Sequence, residues 1–301
     1  MSSNNLEISI GLPVYNGEFF IEQSLNHILS QTKSNFELII SDNASTDNTS
    51  KICQKFAKSD NRIHYFRQEK TIGPMKNFNF VLKKAKSKYF AWTAVDDYIL
   101  PTFLEKNVKE LESDENLIGS TSRFQLYHVD EEKLIDHIPD IKDRTSRKNL
   151  VASLLPKEVV EFKGKFDQKV QLLFKKTAFQ VTYAVYRTKK LKECIIEDPF
   201  VGFDVPIVLN ALKLGDIKMI DEVLMYTFDS GMSHMSSIKM SKSLEQGFLR
   251  TIFPHMTLTL WCLQNLGTKI FLKNFGYFLK INIGSEILLF LDFLKSFKLK
   301  K

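Results

Sequence analysis

The chain has 301 residues, 44% hydrophobic and 26% charged, which is enough for a substantial core in one large domain, alone or with an appendage. Its net charge is +7, but +5 of that lies between Thr268 and Lys301, where seven lysines face Glu286 and Asp292. The remainder is nearly neutral, which excludes a polyanion groove across it and predicts no nucleic acid partner. Cys53, Cys194 and Cys262 lie far apart without CxxC spacing, which excludes a disulfide framework or a zinc site and predicts a reducing, cytoplasmic setting.

Residues 1–7 are polar and lead straight into an apolar run, leaving no room for a charged n-region followed by an apolar h-region, so no signal segment is expected. Residues 8–17 begin as a strand and finish in the turn residues Pro13, Asn16 and Gly17. Apolar residues at helical spacing predict a helix over 18–31, and a second strand follows over 36–41. The polar loop 42–49 supplies N-cap residues for a second helix around Ile52, Phe56 and Ala57. A third strand over 63–66, a loop over 70–75 and a helix over 76–86 continue the alternation that defines a parallel, right-handed α/β layout.

The run 89–95 reads as a buried fourth strand and ends in Asp96-Asp97. Two adjacent carboxylates at a strand mouth repel each other unless a cation lies between them, and oxygen donors suit Mg²⁺ or Mn²⁺ carrying a diphosphate. A helix over 101–111 follows, with Pro101 in a tolerated first-turn position. Tyr15, Asn16, Asp42, Asp96 and Asp97 thus stand at carboxyl ends of successive parallel strands, where open sheets bind ligands. No Gly-rich phosphate loop is present, so a metal rather than backbone amides is expected to hold the diphosphate.

Beyond residue 118 the pattern weakens. Strands are predicted over 120–128, 179–186, 217–220 and 223–226, a surface excursion over 130–147, and a helix over 205–214 stopped by Gly215. From about 244 the chain turns helical and rich in phenylalanine. Glu286 and Asp292 inside the apolar run 281–297 argue against a membrane span, leaving an interfacial helix pair or a cap packed on the sheet.

The segments Pro13-Val14-Tyr15-Asn16-Gly17, Ser41-Asp42-Asn43-Ala44-Ser45-Thr46-Asp47 and Gly73-Pro74-Met75-Lys76-Asn77, with the Asp96-Asp97 pair and Pro101 beyond it, resemble the family 2 inverting glycosyltransferases of GT-A fold. The resemblance covers roughly the first 110 residues. It implies a mainly parallel, Rossmann-like sheet flanked by helices. Residues 1–235 would be the catalytic domain, with a nucleotide-binding half to about 110 and an acceptor half after it, and 236–301 a C-terminal helical extension. It further implies that Pro13, Tyr15 and Asp42 hold the nucleoside, that Lys76 approaches the base, and that Asp96 and Asp97 are the DXD-type metal and diphosphate motif, with Ala94 where an acid often stands. The base would be an acid before a late helix, which matches Asp204 better than Asp198, although either could be an N-cap aspartate. An arginine and a histidine often found after the Tyr226 position are missing, and Asp229 and His234 receive no role.

The expected activity is metal-dependent transfer of a sugar from a nucleoside-diphosphate donor, UDP or dTDP type, to a glycan or lipid-linked hydroxyl acceptor in surface polysaccharide synthesis. The setting would be cytoplasmic, at the inner face of the membrane if the tail contacts lipid. Two alternatives are a nucleotide-sugar-binding protein without activity and a nucleotidyltransferase. The loop Tyr15-Asn16-Gly17-Glu18 lacks the basic, Gly-rich character the latter requires.

Overall fold

The central strand β1 (Ile8–Val14) is buried at every position because it has a parallel neighbour on each side and helices over both faces. Those neighbours are β2 (Phe36–Asp42) and β4 (Tyr89–Trp92), and β2 in turn pairs in parallel with β3 (Ile63–Arg67). The crossovers are helices α1 (Glu18–Leu29), α2 (Thr49–Ser59) and α3 (Pro74–Lys84). The register places Val14 beside Asp42 and Asp42 beside Arg67, so three strand ends form one row at the carboxyl edge. Close packing beneath that row excludes a side chain at Gly11, where a Cβ would stand 2.6 Å from both Phe90 and Val81. The computed structural model describes residues 6–127, 159–176, 179–228 and 247–298, without the side chains of 179–180 and 288–298.

The chain continues through β5 (Tyr98–Ile99), α4 (Phe103–Ser113), β6 (Leu117–Tyr127), α5 (Phe166–Lys176), a 3-10 turn at Phe179–Tyr183, β7 (Val185–Arg187), α6 (Thr188–Lys192), α7 (Asp204–Leu214) and β8 (Asp216–Phe228). The eight strands form one sheet in the order β3-β2-β1-β4-β7-β6-β8-β5. It is parallel through the first four strands and mixed beyond them, with β7 antiparallel to β4 and β6, and β5 antiparallel to β8. The strand expected over 179–186 is only β7, preceded by the 3-10 turn, and the two short strands expected over 217–226 are one. Asp221 and Glu222 read as a break in the sequence. They are instead exposed positions of a continuous strand, ion-paired to Arg123 at 3.2 Å and Lys106 respectively. The excursion expected over 130–147 lies outside the described residues.

Four helices close the chain: α8 (Phe248–Ile252), α9 (Met256–Leu266), α10 (Thr268–Lys273) and α11 (Phe275–Lys298). Leu258, Cys262, Leu266, Phe271 and Phe278 enter the same apolar cluster as Val208, Leu209 and Leu212 of α7. Phe174 of α5 stacks on Tyr277 at 4.5 Å, and Lys273 pairs with Asp167 at 3.2 Å. One face of the segment is therefore a cap on the sheet's helical layer. Among the described residues no helix is long and apolar enough to cross a membrane.

Candidate active site

The loops after β1 and β2 brace each other. The Asn16 N–H donates to Ser45 Oγ at 2.9 Å, the Gly17 N–H to Thr49 Oγ1 at 2.8 Å and the Glu18 N–H to Asp47 Oδ2 at 3.1 Å. In return Asn16 Oδ1 accepts from the Thr46 N–H at 2.8 Å, and Glu18 accepts from Asn48 Nδ2 at 2.6 Å. Asn16 and Ala44 adopt left-handed φ values of 49° and 59°, uncommon for residues with a Cβ and held here by these bonds. Pro13 is buried within β1, while Tyr15 stands half-exposed on the braced loop, its ring presented to solvent.

Asp42 is fully buried at the end of β2. Its Oδ1 accepts from the Ser45 N–H at 2.8 Å, and its Oδ2 accepts from the Tyr65 hydroxyl at 2.6 Å and from Arg67 at 2.9 Å. A carboxylate has about four lone-pair sites, so three internal donors leave room for one more. Arg67 was not singled out from the sequence. Its side chain is 41% exposed and also donates to the Ser45 carbonyl at 2.8 Å, so Asp42 orients a guanidinium at the edge of the same row. Lys76 lies exposed in the first turn of α3, whose start is fixed by Gly73 at φ 79°, by Pro74, and by Asn77 bonding both the hydroxyl and the carbonyl of Ser41 at 2.6 and 2.9 Å.

The acid pair sits further from β4 than the sequence predicts. The strand ends at Trp92, and Asp96-Asp97 occupy the turn into β5. Beneath this turn pack the rings of Tyr98, Tyr127 and Phe228, and the Tyr127 hydroxyl donates to the Asp96 carbonyl at 2.6 Å. Asp97 is only 4% exposed. Burial, and then the charge of Asp96, push its carboxyl well above the usual range, against hydrogen bonding from the Thr227 hydroxyl and the Phe228 N–H at the end of β8. Asp96 keeps part of its surface open, and burial raises its carboxyl as well.

Asp204 opens α7. The N-cap is Phe203, so Asp204 is not the capping residue, and its carboxyl bonds instead to its own N–H and that of Val205. Burial raises it above the ordinary carboxylate range. Tyr183 ends the 3-10 turn, and burial, then the charges of Asp97, Asp96 and Asp204, push its phenol well above the ordinary value. The alternative acid, Asp198, faces elsewhere: it is exposed and held by Arg250 at 2.9 Å, and its neighbour Glu197 pairs with Lys83 at 2.8 Å. Asp229 and His234 lie outside the described residues.

Two hard oxygen donors with uncompensated charge fit a Mg²⁺ or Mn²⁺ ion that completes its shell with substrate phosphates and water. Among the described residues no cluster of three or more potential metal ligands exists, so any such ion would depend on those other ligands. A pH dependence follows. Folding raises the pKa of Asp96, Asp97 and Asp204, so the native state retains protons that the unfolded chain releases. Their contribution therefore weakens as pH rises from about 4 through the raised values and is constant above them. Thermal unfolding between about pH 5 and pH 8 should show Mn²⁺ raising Tm at the alkaline end and little at the acid end. Equal stabilisation at both ends would contradict a metal held by this pair.

The family model described as glycosyl transferase family 2 matches residues 9–195, more than half of the chain and everything from β1 to α6. The chain belongs to that family. Similar proteins include glycosyltransferase GlyG of Streptococcus pneumoniae, 34% identical over 110 residues, which are 36% of this chain and 36% of GlyG. An uncharacterised glycosyltransferase of Rickettsia bellii is 37% identical over 126 residues, 42% of this chain and 18% of that protein. Bacillus subtilis TuaG, whose name assigns it provisionally to teichuronic acid biosynthesis, is 34% identical over 102 residues, 34% of this chain and 40% of TuaG. The chain thus spans well under half the length of these curated relatives. Staphylococcus aureus TarS 1-349 in complex with UDP superposes with TM-score 0.58 at 20% identity, covering 91% of this chain and 71% of that one. The mannosyltransferase PcManGT of Pyrobaculum calidifontis, in complex with GDP-Man and Mn²⁺, gives TM-score 0.57 at 13% identity, covering 94% and 72%. These likenesses establish the GT-A fold for this family 2 glycosyltransferase.

Proposed function

We propose that this family 2 glycosyltransferase is an inverting enzyme that transfers a sugar from a nucleoside-diphosphate donor, of UDP or dTDP type, to a hydroxyl acceptor during the synthesis of a cell-surface polysaccharide. The observation that carries the reading is the acid pair Asp96-Asp97 in the turn between β4 and β5, beyond a strand-end row that presents Tyr15 and Arg67, with a further acid, Asp204, opening α7. Tyr15 packs against the base, and the buried Asp42 acts on the nucleoside through the exposed Arg67 guanidinium that it orients. Lys76 approaches from α3. Asp96, the more accessible acid, meets the donor diphosphate, and Asp97 behind it fixes the turn. A divalent ion bound by the pair would neutralise charge on the leaving diphosphate.

Asp204 is the general base. As the acceptor oxygen attacks the anomeric carbon, the bond from that carbon to the diphosphate oxygen breaks, the electron pair leaves with the nucleoside diphosphate, and the hydroxyl proton moves to Asp204. A single displacement of this kind inverts the anomeric centre. The raised pKa of Asp204 suits the task, since a base with an affinity nearer the operating pH abstracts a proton more readily. TarS 1-349 with UDP and TuaG support the donor class and the polysaccharide setting. The test is slow hydrolysis of UDP- and dTDP-sugars with and without Mn²⁺. Release of nucleoside diphosphate that requires both the ion and one donor is expected, and nucleotide-sugar binding without any release would favour a binding protein instead.

A further inference from the structure

Eleven of the fourteen exposed large apolar side chains among the described residues lie between Phe248 and Ile287, within a segment of four helices. They are not scattered. On α11, Phe275, Leu279, Ile283 and Ile287 recur every fourth residue and are each 48–55% exposed, while Phe278 and Ser285 on the opposite side are buried against the domain. On α9, Met256, Leu260 and Leu263 are 41–49% exposed, and Leu258, Cys262 and Leu266 face inward. Asn282 Nδ2 donates to Thr259 Oγ1 at 2.8 Å, which ties α11 to α9 at one point. Both helices thus bury one apolar face in the protein and turn a second outward.

We propose that this outward face is a docking surface for an anionic lipid bilayer, with α9 and α11 lying in the headgroup plane. Exposed Lys269 and Lys280 border the apolar stripe, and in sequence the segment from Thr268 carries +5 of the chain's +7. Glu286, half-buried at the stripe's edge, and Asp292 are the acids of that segment. Apolar residues backed by basic ones are what an interfacial helix needs to insert shallowly and to attract acidic headgroups. The charge decides against a second copy as occupant. Two copies set face to face would oppose segments that each carry +5 in sequence, whereas a lipid surface gives each an anionic counterpart. The inference rests on this surface and not on the donor or the base, so it stands or falls separately from the proposed reaction.

The test uses the full chain, sedimented with vesicles of phosphatidylcholine alone or mixed with phosphatidylglycerol. Binding is expected only with the anionic vesicles and should weaken at least about tenfold in high salt. Ile283→Glu and, separately, Lys269→Glu with Lys280→Glu should each lower the bound fraction, with circular dichroism melts unchanged because these side chains are on the surface. Sedimentation equilibrium without lipid should report a monomer. Failure to bind either vesicle overturns the proposal. So do equal binding to both compositions, insensitivity of binding to Ile283→Glu, and a concentration-dependent dimer that Ile283→Glu dissolves, which would assign the face to a second copy.

Discussion

Asp96→Ala is expected to lower donor-dependent turnover by about 10²–10³-fold, the usual cost of removing one group that stabilises developing charge. The fold should survive, because Asp96 retains part of its surface and the bond that anchors its turn runs from Tyr127 to the Asp96 carbonyl, which alanine keeps. Stability should even rise slightly at neutral pH. The charge of Asp96 is one of the causes that hold Asp97 above its ordinary range, and its removal relieves that repulsion. The sequence treats the two acids alike, and the structure separates them. Asp97→Ala would leave the Thr227 hydroxyl and Phe228 N–H without their acceptor in a buried site and should cost about 1–3 kcal/mol of stability as well as activity. The measurement is nucleoside-diphosphate release together with a thermal melt for each variant. Full turnover of Asp96→Ala with Mn²⁺-dependent donor binding intact would remove the acid pair from the mechanism.

Asp204→Asn should act on a different step. Donor affinity should stay near that of the parent protein, and turnover should fall about 10²–10⁴-fold, the range for losing a general base. The amide keeps the size and an acceptor oxygen for the N–H groups at the start of α7, so the helix should form as before. The parent enzyme should also show an acid limb placed above the ordinary carboxylate range. The base works only when deprotonated, so the rate rises as pH climbs through the raised pKa of Asp204, and the Asn variant should lose that contribution and keep only the limb set by Asp96 and Asp97. Asp198→Asn is the control. Its side chain is exposed and held by Arg250, and a surface ion pair contributes only about 0–1 kcal/mol, so little should change in rate or melting. If Asp198→Asn loses turnover while Asp204→Asn stays active, the base has been misassigned.

Much of the first half was legible because local signals agree there with the tertiary outcome. Apolar runs at Ile8, Phe36 and Tyr89 alternate with amphipathic helices, and the turn residues fall between them, so the parallel α/β layout and the placement of Tyr15 and Asp42 at its carboxyl edge could be read directly. The helix that Asp204 opens was legible too, from its apolar pattern and the Gly215 stop.

What the sequence could not specify is what each side chain faces. Asp42 reads as a ligand-binding acid, but only the register of β2 against β3 brings Tyr65 and Arg67 onto its carboxylate and makes Arg67 part of the edge. Tyr183 sits in a stretch with strand composition. That it is the last residue of a 3-10 turn, buried where the charges of Asp96-Asp97 and of Asp204 both raise its phenol, depends on long-range packing that no local pattern encodes. The same holds at the C-terminus. Period and charge there predict amphipathic helices, and either a cap or an interfacial pair satisfies that pattern. Tertiary packing spends Leu258, Cys262, Phe271 and Phe278 on the core while leaving Leu260, Leu279 and Ile283 outside, because a helix buried on one face by its own domain still has a second face whose fate is set by what surrounds the protein.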